Sequence, residues 1–235
     1  MAPGGVVRRA RARARAAAVR LRARLFPAYV RKKAFSDIYD AGGWRGESNT
    51  ASGTGSTLDQ TSLVRQELPR ILKGLGARSL LDAPCGDFHW MQSCELDIDE
   101  YVGVDIVPDL IQSNISKFGT DRRRFLVADI AKDDLPASEV VLCRDCLVHL
   151  SFRDAQAVIR NFRRSGAAYL LATTFTERQH NTDLGQAGGW RPLNLMRPPF
   201  GFPAPLLLLN EGCTEYGELH ADKSLGLWRL GELPA

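Results

Sequence analysis

The chain has 235 residues, of which 44% are hydrophobic and 25% are charged. A chain of this length and composition is typical of one globular domain with a sizeable core. It contains no run of about eighteen apolar residues that would span a bilayer. Its five cysteines are odd in number and scattered, with no secretory signal visible. These features argue against a membrane-spanning chain and a secreted disulfide framework, and they predict a cytoplasmic protein.

The net charge of +4 is distributed unevenly along the chain. Residues 1–36 carry nine Arg and two Lys with no acid, whereas the remainder holds 20 basic and 27 acidic residues. Small and apolar residues of the basic segment follow helical spacing, namely Val7, Ala10, Ala14, Ala17 and Leu21. We therefore predict a basic N-terminal arm over residues 1–36, helical or flexible, and a folded domain over residues 37–235.

Three interpretations of this arm stay open. It is a solvated helix, a segment that contacts an anionic membrane surface or nucleic acid, or an organellar transit segment that lacks the usual serines. Because the folded domain is acidic, we expect no dedicated nucleic-acid binding. Peripheral contact of the arm with an anionic membrane stays among the expectations, and the sequence leaves the oligomeric state open.

Beyond the arm, helix and strand signals alternate. Residues 57–75 predict a helix, with Thr57 and Gln60 as a capping box and Gly76 as its end. Further helices are predicted over 108–118 and 151–164. Short apolar runs predict strands over 79–83, 101–105, 125–129, 140–143 and 167–174. This alternation predicts an α/β fold in which helices cover both faces of a mostly parallel sheet.

Three of these predicted strands end in an acidic residue. The acids are Asp82, Asp105 and Asp129. In doubly wound sheets, ligands bind at the carboxyl ends of the strands. Asp105 follows Asp82 by 23 residues, a spacing at which an acid accepts hydrogen bonds from a ribose diol. A single such acid is equally well explained as a helix cap, but the three together predict a nucleoside-binding site.

The turn after the first predicted strand, in the stretch LLDAPCGDFHW (80–90), holds a single glycine, Gly86. A dinucleotide places its pyrophosphate on such a turn, where glycines let backbone N–H groups approach it. Phe88 is expected to block that approach, and Asp87 would add negative charge beside the phosphates. No GxxxxGK[ST] loop is present either, because SGTGST at 52–57 has no lysine. A nucleoside that carries cations instead of phosphates fits better, which predicts S-adenosylmethionine as the cofactor.

Four segments resemble the motifs of class I S-adenosylmethionine-dependent methyltransferases. LLDAPCGDF resembles motif I, YVGVDI the ribose-binding motif, FLVADI the adenine-side motif, and VVLCRDCLVHL the segment after strand four. The chain is also similar to a group of bacterial methyltransferases that have PCGDF in motif I and a C-terminal SLGLWRL strand. The resemblance covers residues 57–175 and implies a Rossmann-like, seven-stranded sheet. Its last strand, expected at 224–230, should run antiparallel.

The resemblance assigns the cofactor to the ends of the first four strands. It implies that Asp82 and Gly86 contact the methionine end, that Asp105 holds the ribose, and that Asp129 binds the adenine amine. The implied cofactor-binding set is Asp82, Pro84, Cys85, Gly86, Asp87, Asp105, Ile106, Asp129, Ile130, Cys143 and Arg144. The 52–57 loop is either a site for the cofactor carboxylate or simply a loop and cap.

Methyl transfer is an in-line displacement, so an enzyme aligns the acceptor and, for a hydroxyl acceptor, removes a proton. Asp145 and His149 follow the fourth predicted strand and are the candidate catalytic residues. No metal site is predicted, because Cys143 and Cys146 form a single CxxC without a second Cys or His pair.

The acceptor is expected near Trp44 and along the connection 176–205, which is long for a loop and holds five of the twelve prolines. The candidate acceptor-binding residues are Trp44, His180, Asn181, Trp190, Arg191 and Asn194. Trp beside Arg and Asn suits sugars or anionic polar acceptors, so we predict a small polar acceptor, for example a sugar or glycan hydroxyl. The sequence leaves the methylated atom open. A proline-rich cover over the sheet edge is the structural alternative.

Two other functional classes stay open. One is a nicotinamide-dependent oxidoreductase on the same scaffold, which the Asp87 and Phe88 argument opposes. The other is a non-catalytic binding module that the basic arm tethers, which the three strand-end acids oppose.

Overall fold

The computed structural model describes residues 25–42, 44, 49–215 and 217–234. The predicted helical face at Val7, Ala10, Ala14, Ala17 and Leu21 lies outside the described residues, as does most of the predicted arm. Within the described ranges, no helix combines the length and the apolar character needed to cross a membrane.

Seven strands form one sheet. They are β1 (Ser79–Asp82), β2 (Glu100–Asp105), β3 (Arg123–Val127), β4 (Val140–Cys143), β5 (Tyr169–Phe175), β6 (Leu207–Asn210) and β7 (Lys223–Arg229). Their order across the sheet is β3-β2-β1-β4-β5-β7-β6. Six strands point the same way, and β7 runs antiparallel to both of its neighbours. The predicted Rossmann-like fold and its antiparallel last strand are confirmed.

Helices cover both faces of this sheet. They are α1 (Pro27–Asp40), α2 (Ser62–Leu75), α3 (Pro108–Phe118) and α4 (Phe152–Arg164). One core contains the buried side of α4, including Val158 and Phe162, together with Leu81 and Val141 of the sheet. The other core contains apolar residues of α2 and α3 packed on the opposite sheet face. The alternation of side chains along the strands therefore supplies both cores.

Local signals explain most helix ends. Ser151 caps α4, because its hydroxyl accepts the backbone N–H of Asp154 at 3.1 Å. Gly76 ends α2 in the left-handed conformation, with φ of 66°. The start of α2 differs from the prediction. Thr57 does accept the N–H of Gln60 at 3.4 Å, but this bond stabilises a turn, and the helix begins only at Ser62.

Two elements were not predicted, the edge strand β6 and the helix α1. The predicted boundary between residues 36 and 37 falls inside α1. Arg31, which the sequence analysis placed in the arm, is buried. Its guanidinium lies 2.6 Å from a carboxylate oxygen of Asp129 and 2.7 Å from one of Asp154. This part of the basic segment is therefore packed against the folded domain.

Candidate cofactor and acceptor site

A cavity of about 700 Å³ lies at the carboxyl edge of the parallel strands. The three acids predicted from the strand ends, Asp82, Asp105 and Asp129, all line it and are buried. Asp129 lies two residues beyond the end of β3 rather than on the strand. Other predicted cofactor residues that line the cavity are Pro84, Cys85, Gly86, Ile106, Ile130 and Arg144. The topology thus brings most of the predicted cofactor set to one place.

Asp105 is held in position by backbone donors at the end of β2. Its Oδ1 accepts the N–H of Val107 at 3.0 Å, and its Oδ2 accepts the N–H of Gly86 at 3.3 Å. Burial raises the pKa of Asp105 to about 6, although these N–H groups favour the carboxylate. Each oxygen keeps a lone pair, so the carboxylate can accept two further hydrogen bonds from a ligand.

Asp82, at the end of β1, has a different environment. The hydroxyl of Tyr101 donates to its Oδ2 at 2.6 Å. Burial raises the pKa of Asp82 to about 7, against this hydrogen bond. The negative charge of Asp105 raises that pKa further, whereas the positive charge of Arg144 lowers it.

The turn after β1 differs from the expectation that Phe88 and Asp87 lie beside the ligand. Neither residue lines the cavity. Phe88 is buried in an aromatic cluster with Tyr101, Phe118 and Phe125, with ring centroids 5.1–5.2 Å from its own. It therefore faces the core and blocks no ligand.

Asp87 instead forms hydrogen bonds with the start of the 52–57 loop and the two residues before it. Its Oδ2 accepts the hydroxyl of Thr50 at 2.8 Å and the N–H of Ala51 at 2.6 Å, and its Oδ1 accepts the hydroxyl of Ser52 at 3.0 Å. A Cβ added to Gly86, whose φ is 54°, would lie 2.3 Å from the Ser52 hydroxyl oxygen. Gly86 is required here because Ser52 fills the space beside the turn.

Asp129 is paired within the protein. Its Oδ1 accepts from Nε of Arg31 at 3.1 Å and from the N–H of Ala131 at 3.1 Å, and its Oδ2 accepts from the Arg31 terminal nitrogen. Helix α1 thereby brings Arg31, Phe35 and Tyr39 to the cavity wall. Cys143, the remaining member of the predicted cofactor set, is buried in the core and does not line the cavity.

A cluster of four charges lies after β4 and around the start of β7. The guanidinium of Arg144 lies 2.7 Å from Glu211 and 3.4 Å from Asp145, and Nζ of Lys223 lies 2.6 Å from the same Asp145 oxygen. Although burial alone would raise the pKa of Asp145, the charges of Lys223 and Arg144 hold it below its usual value. Asp145 has φ of 51°, a left-handed conformation that aspartate tolerates better than most residues.

His149 is oriented by the connection after β5. Its Nδ1 lies 2.7 Å from the carbonyl oxygen of Gly189, which can only accept, so Nδ1 carries a proton. In the described part of the chain, no hydrogen bond reaches Nε2. Burial lowers the pKa of His149, so the ring is neutral at pH 7 with a lone pair on Nε2. Both predicted catalytic residues, His149 and Asp145, line the cavity.

The predicted acceptor residues divide into two groups. Trp44 and Trp190 line the cavity, whereas the others do not. Arg191 donates to the carbonyl oxygens of Leu147, Leu150 and Thr182 at 2.6–2.9 Å. These hydrogen bonds hold the connection 176–205 against the segment that carries His149.

The remaining predicted acceptor residues also serve that connection or point away from the cavity. The amide nitrogen of Asn181 donates to the carbonyl oxygens of Asn194 and Pro198 at 2.9 Å. Asn194 is buried, and its amide donates to Thr176 at 3.1 Å and Arg178 at 2.9 Å. His180 is exposed.

Sequence reasoning missed several residues of the wall. They are Arg31, Phe35, Tyr39, Trp90, Glu215 and Lys223. The position of Lys223 could have been predicted from the antiparallel last strand. Such a strand begins at the sheet edge where its parallel neighbours end, and Lys223 pairs with Phe175 at the end of β5. For Arg31 no such signal exists, since it is one of eleven cations in an acid-free segment.

Comparison with known proteins identifies the fold. No protein-family model and no curated protein sequence matches the chain. The chain is similar in structure to 1,6-didemethyltoxoflavin-N1-methyltransferase from Burkholderia thailandensis, solved with 1,6-didemethyltoxoflavin and S-adenosylhomocysteine. The TM-score is 0.58 at 17% identity, over 86% of this chain and 88% of that one.

Two further solved structures agree. The methyltransferase domain of bacterial-CtHen1-CN matches with a TM-score of 0.51 at 13% identity, over 72% of this chain and 99% of that one. Human N-acetylserotonin methyltransferase, solved with S-adenosylmethionine, matches with a TM-score of 0.50 at 13% identity, over 83% of this chain and 58% of that one. The chain has the fold of the class I S-adenosylmethionine-dependent methyltransferases.

Proposed function

We propose that this protein transfers a methyl group from S-adenosylmethionine to a hydroxyl or amine of a small acceptor. One observation carries the proposal. A single cavity holds a buried carboxylate suited to a ribose diol, Asp105, and a neutral histidine with an unprotonated Nε2, His149. The first is a cofactor-binding feature and the second is a base, and methyl transfer to an O–H or N–H group uses both.

The residues present fit this cofactor. Asp105 has lone pairs for two ribose hydroxyls, and Ile106 and Ile130 offer apolar surface for the adenine ring. Oδ2 of Asp129 keeps a lone pair beside Arg31, so it can still accept from an adenine amine. The cavity volume of about 700 Å³ falls in the range of cofactor sites, and it leaves space beyond the nucleoside for an acceptor.

The chain's own groups supply alignment and proton removal. When bound, S-adenosylmethionine supplies an electrophilic methyl group on a sulfonium. Nε2 of His149 accepts the proton that the acceptor's O–H or N–H loses, while Nδ1–H stays bonded to Gly189. Asp145 raises the proton affinity of His149 electrostatically, and so stabilises the imidazolium that forms. Trp44 and Trp190 restrict water at this end of the cavity.

The sugar or glycan acceptor stays a prediction, and its supporting contacts are weaker than the sequence implied. It depended on Arg191, Asn181 and Asn194 beside Trp190. The side chains of these three residues are bonded to backbone carbonyls instead. Of the predicted acceptor residues, Trp44 and Trp190 line the cavity, and the other four do not.

Calorimetry and labelled-methyl turnover test the proposal together. The purified protein should bind S-adenosylmethionine, and turnover over a panel of hydroxyl and amine metabolites should show at least one acceptor. His149→Gln should then lower turnover by roughly 10²–10⁴-fold at unchanged cofactor affinity. His180→Gln, at an exposed histidine outside the cavity, is the matched control and should change neither quantity.

Each failure points to a named alternative. Absence of S-adenosylmethionine binding contradicts the proposal, and binding of a nicotinamide dinucleotide in its place would favour an oxidoreductase. Cofactor binding with no turnover over the whole panel would favour the non-catalytic binding module.

A further inference from the structure

The acceptor end of the cavity is rich in aromatic rings. The ring of Trp44 lies 4.9 Å from that of His149, with 34° between their planes. The ring of Trp190 lies 4.8 Å from that of His220, and Phe175 lies 5.9 Å from Trp190. All five rings line the cavity. Gly189 links the Trp44–His149 pair to the rings around Trp190. Its carbonyl oxygen accepts from His149, and it directly precedes Trp190 in the chain.

Both tryptophans have surface to offer a ligand. Trp190 is 43% exposed, and Trp44 is partly exposed. Aromatic rings bind other flat rings at centroid distances of about 4.5–7 Å, in offset or edge-to-face arrangements. The wall at this end is therefore suited to a planar ligand.

The cations of this wall are already paired. Among the described residues that line the cavity, the Lys and Arg side chains are Arg31, Arg144 and Lys223. Each of them lies within 4 Å of two carboxylates. No unpaired cation within the described wall can therefore bind an anionic acceptor.

The net charge at this end is negative. Glu215 lines the cavity and accepts the hydroxyl of Thr54. It adds a carboxylate to a four-charge cluster in which Arg144 and Lys223 balance Asp145 and Glu211. A carboxylate or phosphate on the acceptor would lie beside these acids, and like charges in a partly buried site repel.

A sugar fits the wall less well than a flat ring. Each hydroxyl that enters a cavity without a hydrogen-bond partner is desolvated at a cost. Beside the proposed base, two acceptors without a hydrogen bond among the described residues are Nε2 of His149 and Oδ1 of Asp145, since the ion pairs of Asp145 with Arg144 and Lys223 both use Oδ2. They lie on neighbouring elements and suit one polar edge rather than hydroxyls around a whole ring.

We infer that the acceptor is a flat, uncharged aromatic or heteroaromatic ring that carries the methylated O–H or N–H group on one edge. This inference rests on the proposed methyl transfer. The ring packs against Trp44 and Trp190, and its reactive edge faces Nε2 of His149. On transfer, the new bond joins the methyl carbon to the oxygen or nitrogen of that group. The bond between the sulfonium sulfur and the methyl carbon breaks, and the proton of the group goes to Nε2 of His149.

Three probes measured by calorimetry on the full chain saturated with S-adenosylhomocysteine test the inference. They are 6-hydroxyquinoline (flat and neutral), 4-hydroxybenzoate (flat and anionic) and methyl β-glucoside (neutral and not flat). We expect 6-hydroxyquinoline to bind at least ten-fold more tightly than either of the others. Trp190→Ala, and separately Trp44→Ala, should weaken its binding at least ten-fold. Tyr29→Ala, an exposed aromatic residue outside the cavity, is the matched control and should leave binding unchanged.

The outcomes separate this inference from the proposed function. If S-adenosylhomocysteine itself does not bind, the methyltransferase proposal fails and the inference fails with it. If it binds but 6-hydroxyquinoline shows no saturable binding, or either other probe binds as tightly, only the acceptor class is overturned. The wild-type comparison decides this even if one tryptophan variant is unfolded. Unchanged binding of 6-hydroxyquinoline to both tryptophan variants, folded by circular dichroism, would also overturn it.

Discussion

Replacing Arg31 by methionine should destabilise the protein strongly, because Arg31 joins α1 to the domain through a buried ion triad. Its side chain is 6% exposed, and those of Asp129 and Asp154 are 8% and 10% exposed. The substitution keeps most of the apolar volume but removes three hydrogen bonds, at 2.6, 2.7 and 3.1 Å. It leaves the buried carboxylate of Asp129 without a cation, whereas Asp154 keeps only the guanidinium of Arg153, at 3.7 Å.

The magnitude follows from those uncompensated charges. Removing one partner of a buried ion pair costs about 3–5 kcal/mol. Asp129 keeps the N–H of Ala131 at 3.1 Å, which offsets part of the loss. We therefore expect the free energy of unfolding to fall by about 3–4 kcal/mol, a large part of the roughly 5–15 kcal/mol of a typical domain. Affinity for S-adenosylhomocysteine should fall too, since α1 carries Phe35 and Tyr39 to the cavity.

Urea denaturation followed by circular dichroism measures this loss. Lys33→Met is the matched control, because it breaks an exposed ion pair with Asp37 on the same helix and should change the free energy of unfolding little. Adding Asp129→Asn and Asp154→Asn to Arg31→Met should regain part of the loss, since the buried carboxylates are then neutral. A fall below about 1 kcal/mol in the single variant would show that the triad is not a stabilising connection.

Further predictions concern the strand-end acids and the connection after β5. Asp105→Asn should weaken S-adenosylmethionine binding by about 1.5–3 kcal/mol in calorimetry, whereas the exposed Asp109→Asn should not. Because the pKa of Asp105 is raised to about 6, wild-type affinity should fall as the pH falls below 6, and Asp105→Asn should show no such dependence. Burial raises the pKa of Asp82 from 3.8 to about 7, so the folded state holds a proton that the unfolded state has released. The free energy of unfolding of the ligand-free protein should therefore decrease as the pH rises from about 4 to 7, and a slope unchanged in Asp82→Asn would contradict this assignment. Arg191→Ala leaves three carbonyls without their donor and should lower the free energy of unfolding by roughly 2–3 kcal/mol in urea; a loss of cofactor affinity with full stability would refute its positioning role.

Local pattern predicted the strands β1 to β5 and the three acids at their ends, but not the edge strand β6. The five predicted strands are all present, and the bounds of β4 and α3 agree with the prediction residue for residue. The acids at Asp82, Asp105 and Asp129 reach one cavity because parallel strands place their carboxyl ends at one edge. Hydrophobic alternation and turn residues are short-range signals, and they are legible in a single chain.

The tertiary structure changed the roles of particular residues. The sequence predicts Asp87 and Phe88 beside a ligand, yet Asp87 binds Thr50, Ala51 and Ser52, and Phe88 packs in the core. Side chains that share a turn point in different directions according to backbone dihedrals, and Phe88 has φ of 59°. No spacing rule in the sequence encodes that direction.

By itself, the sequence determined the α/β class, the strand-end acids and the positions of His149 and Asp145 after β4. Only the tertiary structure decided that Arg31 pairs with Asp129, 98 residues away, and that Lys223 pairs with Asp145, 78 residues away. Only the structure, too, committed Arg191 to three backbone carbonyls rather than to the cavity. The physical reason is that buried cations must find carboxylates or carbonyls wherever packing brings them close, and that proximity is set by the fold rather than by neighbours in the chain.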